Sequence, residues 1–262
     1  MSSAFRPLVL IPSYNTGGPR LLATLRDVLS VHADTWVVID GSTDGSERHL
    51  DSLAADHPAL QVHRLPVNGG KGAAVLAGAR AALAAGFTHA LVMDADGQHD
   101  IGHIQPFFAA AAEAPAALIA GRPIFGPEVP LERLYGRKLS VGLARLETRG
   151  AIDDPLFGFR VYPLASLVDV LGPLTFARGY DFDPEIVVRL VWAGVPVINL
   201  PAPCRYLDKD EGGVSHFRYG RDNVKMVWLH ARLLPQLPRY WLRMRRPPVA
   251  ADRTSSVSGV QL

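Results

Sequence analysis

Short apolar runs recur along this chain at intervals that leave room for a helix between them, and that alternation narrows the fold more than any other feature. "LVLI" (8–11), "WVVI" (36–39), "QVHRL" (61–65), "HALVM" (89–93) and "ALIA" (117–120) have the length and bounding turns of strands. Between the first two, Leu21, Leu22, Leu25, Val28 and Leu29 mark the one-sided stripe of an amphipathic helix. Strand alternating with helix predicts an α/β fold with a mostly parallel sheet covered on both faces. Ligands of such sheets sit beyond the carboxyl ends of the strands.

The residues directly after those runs are therefore the first candidates for a site: "PSYN" (12–15), "DGSTDGS" (40–46), "NGGKG" (68–72) and "DADGQHD" (94–100). All four are polar or glycine-rich and fall at one edge of the predicted sheet. The third opens a helix over 73–85, whose small residues allow close packing on the sheet and which Gly86 is placed to end. Gly69, Gly70, Lys71 and Gly72 would there present free amide N–H groups and a cation, which is an anion site. It is not a Walker A loop, because Gly72 stands where Ser or Thr should follow the lysine.

After residue 121 the pattern loosens. "GRPIFGPEVPLERLYGRK" predicts a mobile loop leading into a helix near 131–146, "AIDDPLFGFRVYP" (151–163) a turn entering a short strand, and "YDFDPEIVVRLVWAG" (180–194) a helix with Pro184 in its first turn and Gly194 at its end. With 262 residues, 48% of them hydrophobic, the chain can bury one large core. We expect one domain over 1–211, a further segment of it over 212–246, and a disordered tail over 247–262. A net charge of +2 gives no reason to expect nucleic-acid binding. The single cysteine, Cys204, excludes an internal disulfide and a thiolate metal cluster, which favours a reducing, cytoplasmic setting. The apolar run before Pro12 is too short for a signal peptide, and no stretch approaches the roughly 20 apolar residues of a membrane span.

The densest cluster, Asp94, Asp96, Gln98, His99 and Asp100, must face water, a cation or a hydrogen-bonded ligand. A calcium loop needs glycine at its sixth position and glutamate at its twelfth, where His99 and Gln105 stand. An apolar run followed by Asp-x-Asp-Gly also resembles the nucleophile loop of haloacid dehalogenase-type phosphatases, in which Asp94 would attack phosphorus and Asp96 act as acid and base. A third reading is a D-x-D nucleotide-sugar site, where paired carboxylates share Mn2+ or Mg2+ that bridges a diphosphate. The fourth is an acidic turn in solvent.

Taken together, "LIPSYN", "VVIDGSTDGS", "NGGKGAAVLAG", "LVMDADGQHD", "DPLFGFRVYP" and "YDFDPEIVVRL" occur in an order that resembles family 2 glycosyltransferases, in particular the branch of dolichyl- and polyprenyl-phosphate sugar transferases. The resemblance spans about residues 8–234. It implies a GT-A, Rossmann-like fold and inverting transfer from a UDP- or GDP-sugar. It also implies that Pro12, Tyr14 and Asn15 line the base and ribose pocket, that Asp40 bonds the base, and that Lys71 lies near base and ribose. Asp94 and Asp96 become the D-x-D pair, Asp94 towards the nucleotide, with Gln98 completing the metal shell. Two positions depart: Ile39 replaces the first Asp of D-D-G-S-T-D, and Phe157 replaces the small residue before Gly-Phe.

On the acceptor side the same resemblance marks Asp154 and Asp183 as candidate bases. A sugar hydroxyl would need one, whereas a phosphate acceptor is already ionised. Either aspartate could instead cap a turn or helix. Arg122, Arg137, Lys138 and Arg160 flank these segments and could clamp an acceptor phosphate, and Ser215 and His216 match a position near the donor phosphates. Residues 212–246 mix Trp228, Trp241, leucine and methionine with eight Arg or Lys after His216. That composition predicts an amphipathic, basic helical segment. It reads either as an anchor on an anionic membrane surface, fitting a lipid-linked acceptor at the cytoplasmic face, or as a helix packed on its own domain. Pro238 and Tyr240 break the QxxRW pattern of processive synthases, so transfer of a single sugar is expected. "SHFRYGRDNVKMVWLHARLL" is also similar to family 2 enzymes encoded with aryl polyene pigment genes, which keeps an aryl-lipid hydroxyl open as acceptor.

Overall fold

The computed structural model describes residues 4–126, 131–176, 178–179, 181–205 and 219–242. Along the chain run β1 (Pro7–Ser13), α1 (Gly18–Val31), β2 (Thr35–Asp40), α2 (Leu50–Asp56), β3 (Gln61–Leu65), α3 (Lys71–Ala84), β4 (His89–Val92), α4 (Ile104–Glu113) and β5 (Leu118–Phe125). They continue as α5 (Leu131–Glu147), β6 (Arg160–Pro163), α6 (Leu164–Leu171), α7 (Phe182–Trp192), β7 (Val197–Cys204), α8 (Tyr219–Leu233) and α9 (Leu237–Trp241). The strands form one seven-stranded sheet in the order β3-β2-β1-β4-β6-β5-β7. Among the described strands only β6 runs antiparallel to its neighbours, β4 and β5. The expected mostly parallel sheet is present.

Side-chain alternation along the strands divides the core between the two faces. Leu8 and Leu10 of β1 join Val38 and residues of α3, α6 and α7 on one face. Val9 and Ile11 join Val37, Ile39 and residues of α1 and α4 on the other. The small residues of α3 have the predicted consequence. A Cβ on Gly78 would come within 2.5 Å of Leu10 Cδ1 and 2.9 Å of Val38 Cγ2, so only glycine lets the helix lie this close.

Two segments differ from expectation. Residues 121–125, read as the start of a loop, continue β5 as far as Phe125 because β7 pairs with it in parallel from Leu118↔Val197 to Phe125↔Cys204. The strand β7 itself was not anticipated, since "VINLPAPC" carries Pro201 and Pro203. Prolines are tolerated on an edge strand, and β7 is at the sheet's edge. Their spacing of two residues puts both missing N–H groups on the same side, facing away from β5.

The helix expected near 131–146 is α5, and Gly194 ends the α7 turn with φ +88°. In the C-terminal part, α8 buries Leu229, His230 and Leu233 against the domain. His230 Nδ1 lies 2.9 Å from Glu147 Oε1 of α5, and Arg232 donates to Glu185 Oε2 of α7 at 2.9 Å. The outward side of α8 is not simply basic, for it exposes Val224, Val227 and Trp228. No helix among the described residues is long and apolar enough to cross a membrane. The predicted tail (247–262) and residues 127–130 lie outside the described residues.

Candidate active site

The loops after β1 and β2 are stitched together. Thr43 N–H donates to Asn15 Oδ1 at 2.8 Å, and Asn15 N–H to Ser42 Oγ at 3.1 Å. Asp44 accepts from Gly17 N–H and Ser46 N–H, both at 3.0 Å. Burial opposes its ionisation, but these bonds outweigh it and hold the carboxyl below the usual range. No local signal marks Asp44 within "DGSTDGS", because the loop it joins is remote in sequence. Pro12 is buried at the end of β1, and Tyr14, just beyond it, is 40% exposed.

The start of α3 is the clearest correction. Its predicted free amides are already in use: Gly69 N–H and Gly70 N–H donate to the two oxygens of Asp40 at 2.9 and 2.7 Å. Gly72 N–H donates to Arg178 O at 3.2 Å. The anion that this helix end attracts is the protein's own Asp40, which is almost wholly buried. Asp40 therefore anchors the glycine turn, and any contact with a base would share that carboxylate.

Lys71 is thereby placed between two carboxylates. Its Nζ lies 2.6 Å from Asp94 Oδ1 and 2.6 Å from Asp183 Oδ2, joining the end of β4 to the first turn of α7. Burial would lower the lysine, yet Asp183 and Asp94 raise it above its ordinary value. Burial likewise opposes Asp94, but the Lys71 charge and the nearby His99 hold it well below the carboxylate range. Asp183 is not the cap of α7, because the helix starts at Phe182 and Asp181 accepts from Gly179 N–H instead. A Cβ on Gly158 would sit 2.8 Å from Lys71 Nζ and 2.9 Å from Asp94 Oδ2, so the "FGF" turn closes over the pair only because it is glycine.

Among the described residues Asp96 has no such cation at ion-pair distance. Its Oδ1 accepts Gln98 N–H at 3.0 Å, while Arg20 of α1 donates to its carbonyl at 3.0 Å and Thr24 to Ala95 O at 3.1 Å. Burial and the adjacent Asp94 push its carboxyl up. This surplus negative charge beside Asp94 fits a divalent cation. Among the described residues no three His, Cys, Asp or Glu side chains converge on one point, so the pair would need further oxygens from a ligand such as a diphosphate. Cys204 offers no thiolate, since burial pushes its pKa up to about 11.

The acceptor-side candidates separate. Arg137 Nη2 donates to both oxygens of Asp154, at 2.7 and 2.8 Å, and Leu156 N–H donates to Asp154 Oδ1 at 2.8 Å. Arg122 is exposed on β5. Arg160 is a correction, because its side chain is 0% exposed and cannot clamp a phosphate at the surface. It donates to Pro155 O at 2.7 Å, Asp183 O at 2.9 Å and Tyr162 Oη at 3.2 Å. Phe157 is also buried, packed on His99 rather than facing a pocket. Ser215 and His216 lie outside the described residues.

Residues 8–165 match the family model described as Glycosyl transferase family 2. The chain belongs to that family. A polyprenol monophosphomannose synthase of Mycolicibacterium smegmatis is 30% identical over 203 residues, covering 75% of this chain and 76% of the relative. An undecaprenyl-phosphate mannosyltransferase of Micrococcus luteus is 28% identical over 201 residues, covering 75% and 82%. Among solved structures, a mannosyltransferase of Pyrobaculum calidifontis in complex with GDP-Man and Mn2+ is 19% identical with a TM-score of 0.61, covering 94% of this chain and 67% of that one. That likeness supports the GT-A fold. The phosphatase reading of Asp94 falls with this membership, and the other oxygen-rich loops gathered at the same sheet edge belong to a glycosyltransferase.

Sequence reasoning missed the Lys71–Asp183 and Arg137–Asp154 pairings, and it named His99 within the acidic cluster without a role of its own. The only signal for His99 was its place beside the D-x-D pair.

Proposed function

We propose that this glycosyltransferase moves one sugar from a nucleoside diphosphate sugar, UDP- or GDP-linked, to a lipid-linked acceptor, with polyprenyl phosphate the favoured chemistry. Transfer would occur by a single inverting displacement. The observation that carries the donor half is the charge pattern after β4: Asp94 is compensated by Lys71 at 2.6 Å, while Asp96 beside it is pushed up by burial and by Asp94. A bound Mn2+ or Mg2+ would offset that excess and stabilise charge on the departing diphosphate. Asp94, Asp96 and Gln98 are the residues to hold it. Pro12, Tyr14 and Asn15 are proposed to line the base and ribose pocket.

The lipid acceptor is supported by the two mannosyltransferase relatives, whose names specify polyprenol or undecaprenyl phosphate. A phosphate acceptor is ionised near neutral pH, so Asp183 need not act as base. Its tie to Lys71 then serves to hold the β4 loop and α7 together, and Asp154 orients Arg137. Incubating the protein with labelled UDP- or GDP-sugars, Mn2+ and polyprenyl phosphate should give lipid-extractable label only when metal is present. Label on an aryl-lipid hydroxyl alone would replace the acceptor, and none with any donor would sink the proposal.

We infer attachment at the cytoplasmic face of the membrane through residues 212–246, because that stretch of sequence is rich in arginine and lysine and α8 exposes Val224, Val227 and Trp228 (58%). Cosedimentation with anionic vesicles, weakened by salt, is the expected result. Equal recovery in the supernatant with and without vesicles would remove this surface.

A further inference from the structure

Neither ring nitrogen of His99 makes a hydrogen bond to any described residue, although the side chain is only 4% exposed. A buried polar ring left unsatisfied is costly, so the position asks for a reason. Its surroundings fix its direction. Phe157 meets the imidazole edge-on with ring centroids 4.9 Å apart, Phe159 lies 5.3 Å away, and an isolated bridge between His99 and Cys204 pins the backbone. Held in this way, Nε2 lies 3.5 Å from Asp94 Oδ2. The other oxygen of that carboxylate is 2.6 Å from Lys71 Nζ.

We propose that His99 is a positioning residue for Asp94, fixing the carboxylate's Oδ2 for the divalent cation and diphosphate of the donor. This role rests on the nucleotide-sugar reading above. Lys71 and His99 approach different oxygens from different elements, one from α3 and one from the D-x-D loop itself. Together they leave the carboxylate a single orientation. At 3.5 Å the two atoms fall short of a hydrogen bond, and contacts of this kind in ligand-free sites tighten when the ligand draws the groups into place. The aromatic packing keeps the ring plane aimed while that happens.

The test measures Mn2+ binding in the presence of UDP or GDP by calorimetry and by electron paramagnetic resonance, for the parent protein, His99→Phe and His99→Gln. Phenylalanine keeps the aromatic packing and removes both nitrogens, whereas glutamine returns an N–H donor near Nε2. His99→Phe should weaken Mn2+ about tenfold, the scale seen when a partner of a metal ligand is lost. The Mn2+ needed for half-maximal turnover should rise equally, with a smaller fall in kcat at saturating Mn2+. His99→Gln should recover most of the affinity. Should His99→Phe not fold, His99→Met fills similar space without a donor and carries the same expectation. Parental affinity in the variant without a donor overturns the proposal, as does a loss of turnover that excess Mn2+ and glutamine both fail to relieve. A nitrogen coupling to bound Mn2+ that disappears in His99→Phe would make the histidine a direct ligand and also overturn it. If the parent itself binds no nucleoside diphosphate with Mn2+, the nucleotide-sugar reading fails, and this role with it. Parental binding with an unaffected variant defeats the His99 role alone.

Discussion

Asp96→Asn is expected to lower turnover about a thousandfold, equivalent to roughly 4 kcal/mol of transition-state stabilisation, and to abolish Mn2+-dependent nucleoside diphosphate binding. Asparagine keeps the Oδ1 that accepts Gln98 N–H, so the turn survives and only the charge is lost. The ligand-free fold should respond in the opposite direction. Burial and Asp94 raise the Asp96 carboxyl in the folded protein. A raised carboxyl destabilises the fold above that raised value and ceases to do so below the ordinary carboxylate range. The variant should therefore melt at or above the parent's temperature near neutral pH and show no advantage in strong acid. Mn2+ with a nucleoside diphosphate should raise the parent's melting temperature and leave the variant's unchanged. Parental calorimetric affinity in Asp96→Asn would sink the metal assignment.

The residues that make this prediction possible were legible because strand ends are. An apolar run that stops at a carboxylate, as "LVM" does at Asp94, marks both the strand and the edge where a ligand belongs, and the described strands β1 to β5 all start close to where the apolar pattern put them. The pattern failed where pairing overrides composition. Pro201 and Pro203 masked β7, whose partner β5 lies far away in sequence, and β5 in turn looked too short without it. Charges were harder still. Lys71 and Asp183 are 112 positions apart, and no local period encodes which carboxylate a lysine will meet. The glycine turn before Lys71 illustrates the same limit, since helix geometry marks its amides as donors but not that Asp40, from another strand, already accepts from them.

Arg160→Met should cost about 3–5 kcal/mol of folding stability, the usual scale when one member of a buried charged network is removed. That is a large share of the roughly 5–15 kcal/mol that holds a typical domain together. The guanidinium is wholly buried and donates in three directions, to Pro155 O, Tyr162 Oη and Asp183 O, with Asp183 Oδ1 a further 3.4 Å contact. Methionine fills comparable volume but leaves the Pro155 and Asp183 carbonyls without their donor. It also leaves Lys71 as the remaining cation on the Asp183 carboxylate. Urea unfolding should show a markedly lower midpoint with a little-changed slope, because the surface exposed on unfolding is nearly the same. Arg160→Lys should restore only part of the loss, since one ammonium on a flexible stem cannot reproduce the fork that reaches all three acceptors. The competing account, a surface arginine clamping the acceptor phosphate, makes the opposite forecast: an unchanged midpoint with a raised acceptor KM. Finding that pattern would refute the buried strut, and with it the view that β6 sets the position of Asp183 from beneath.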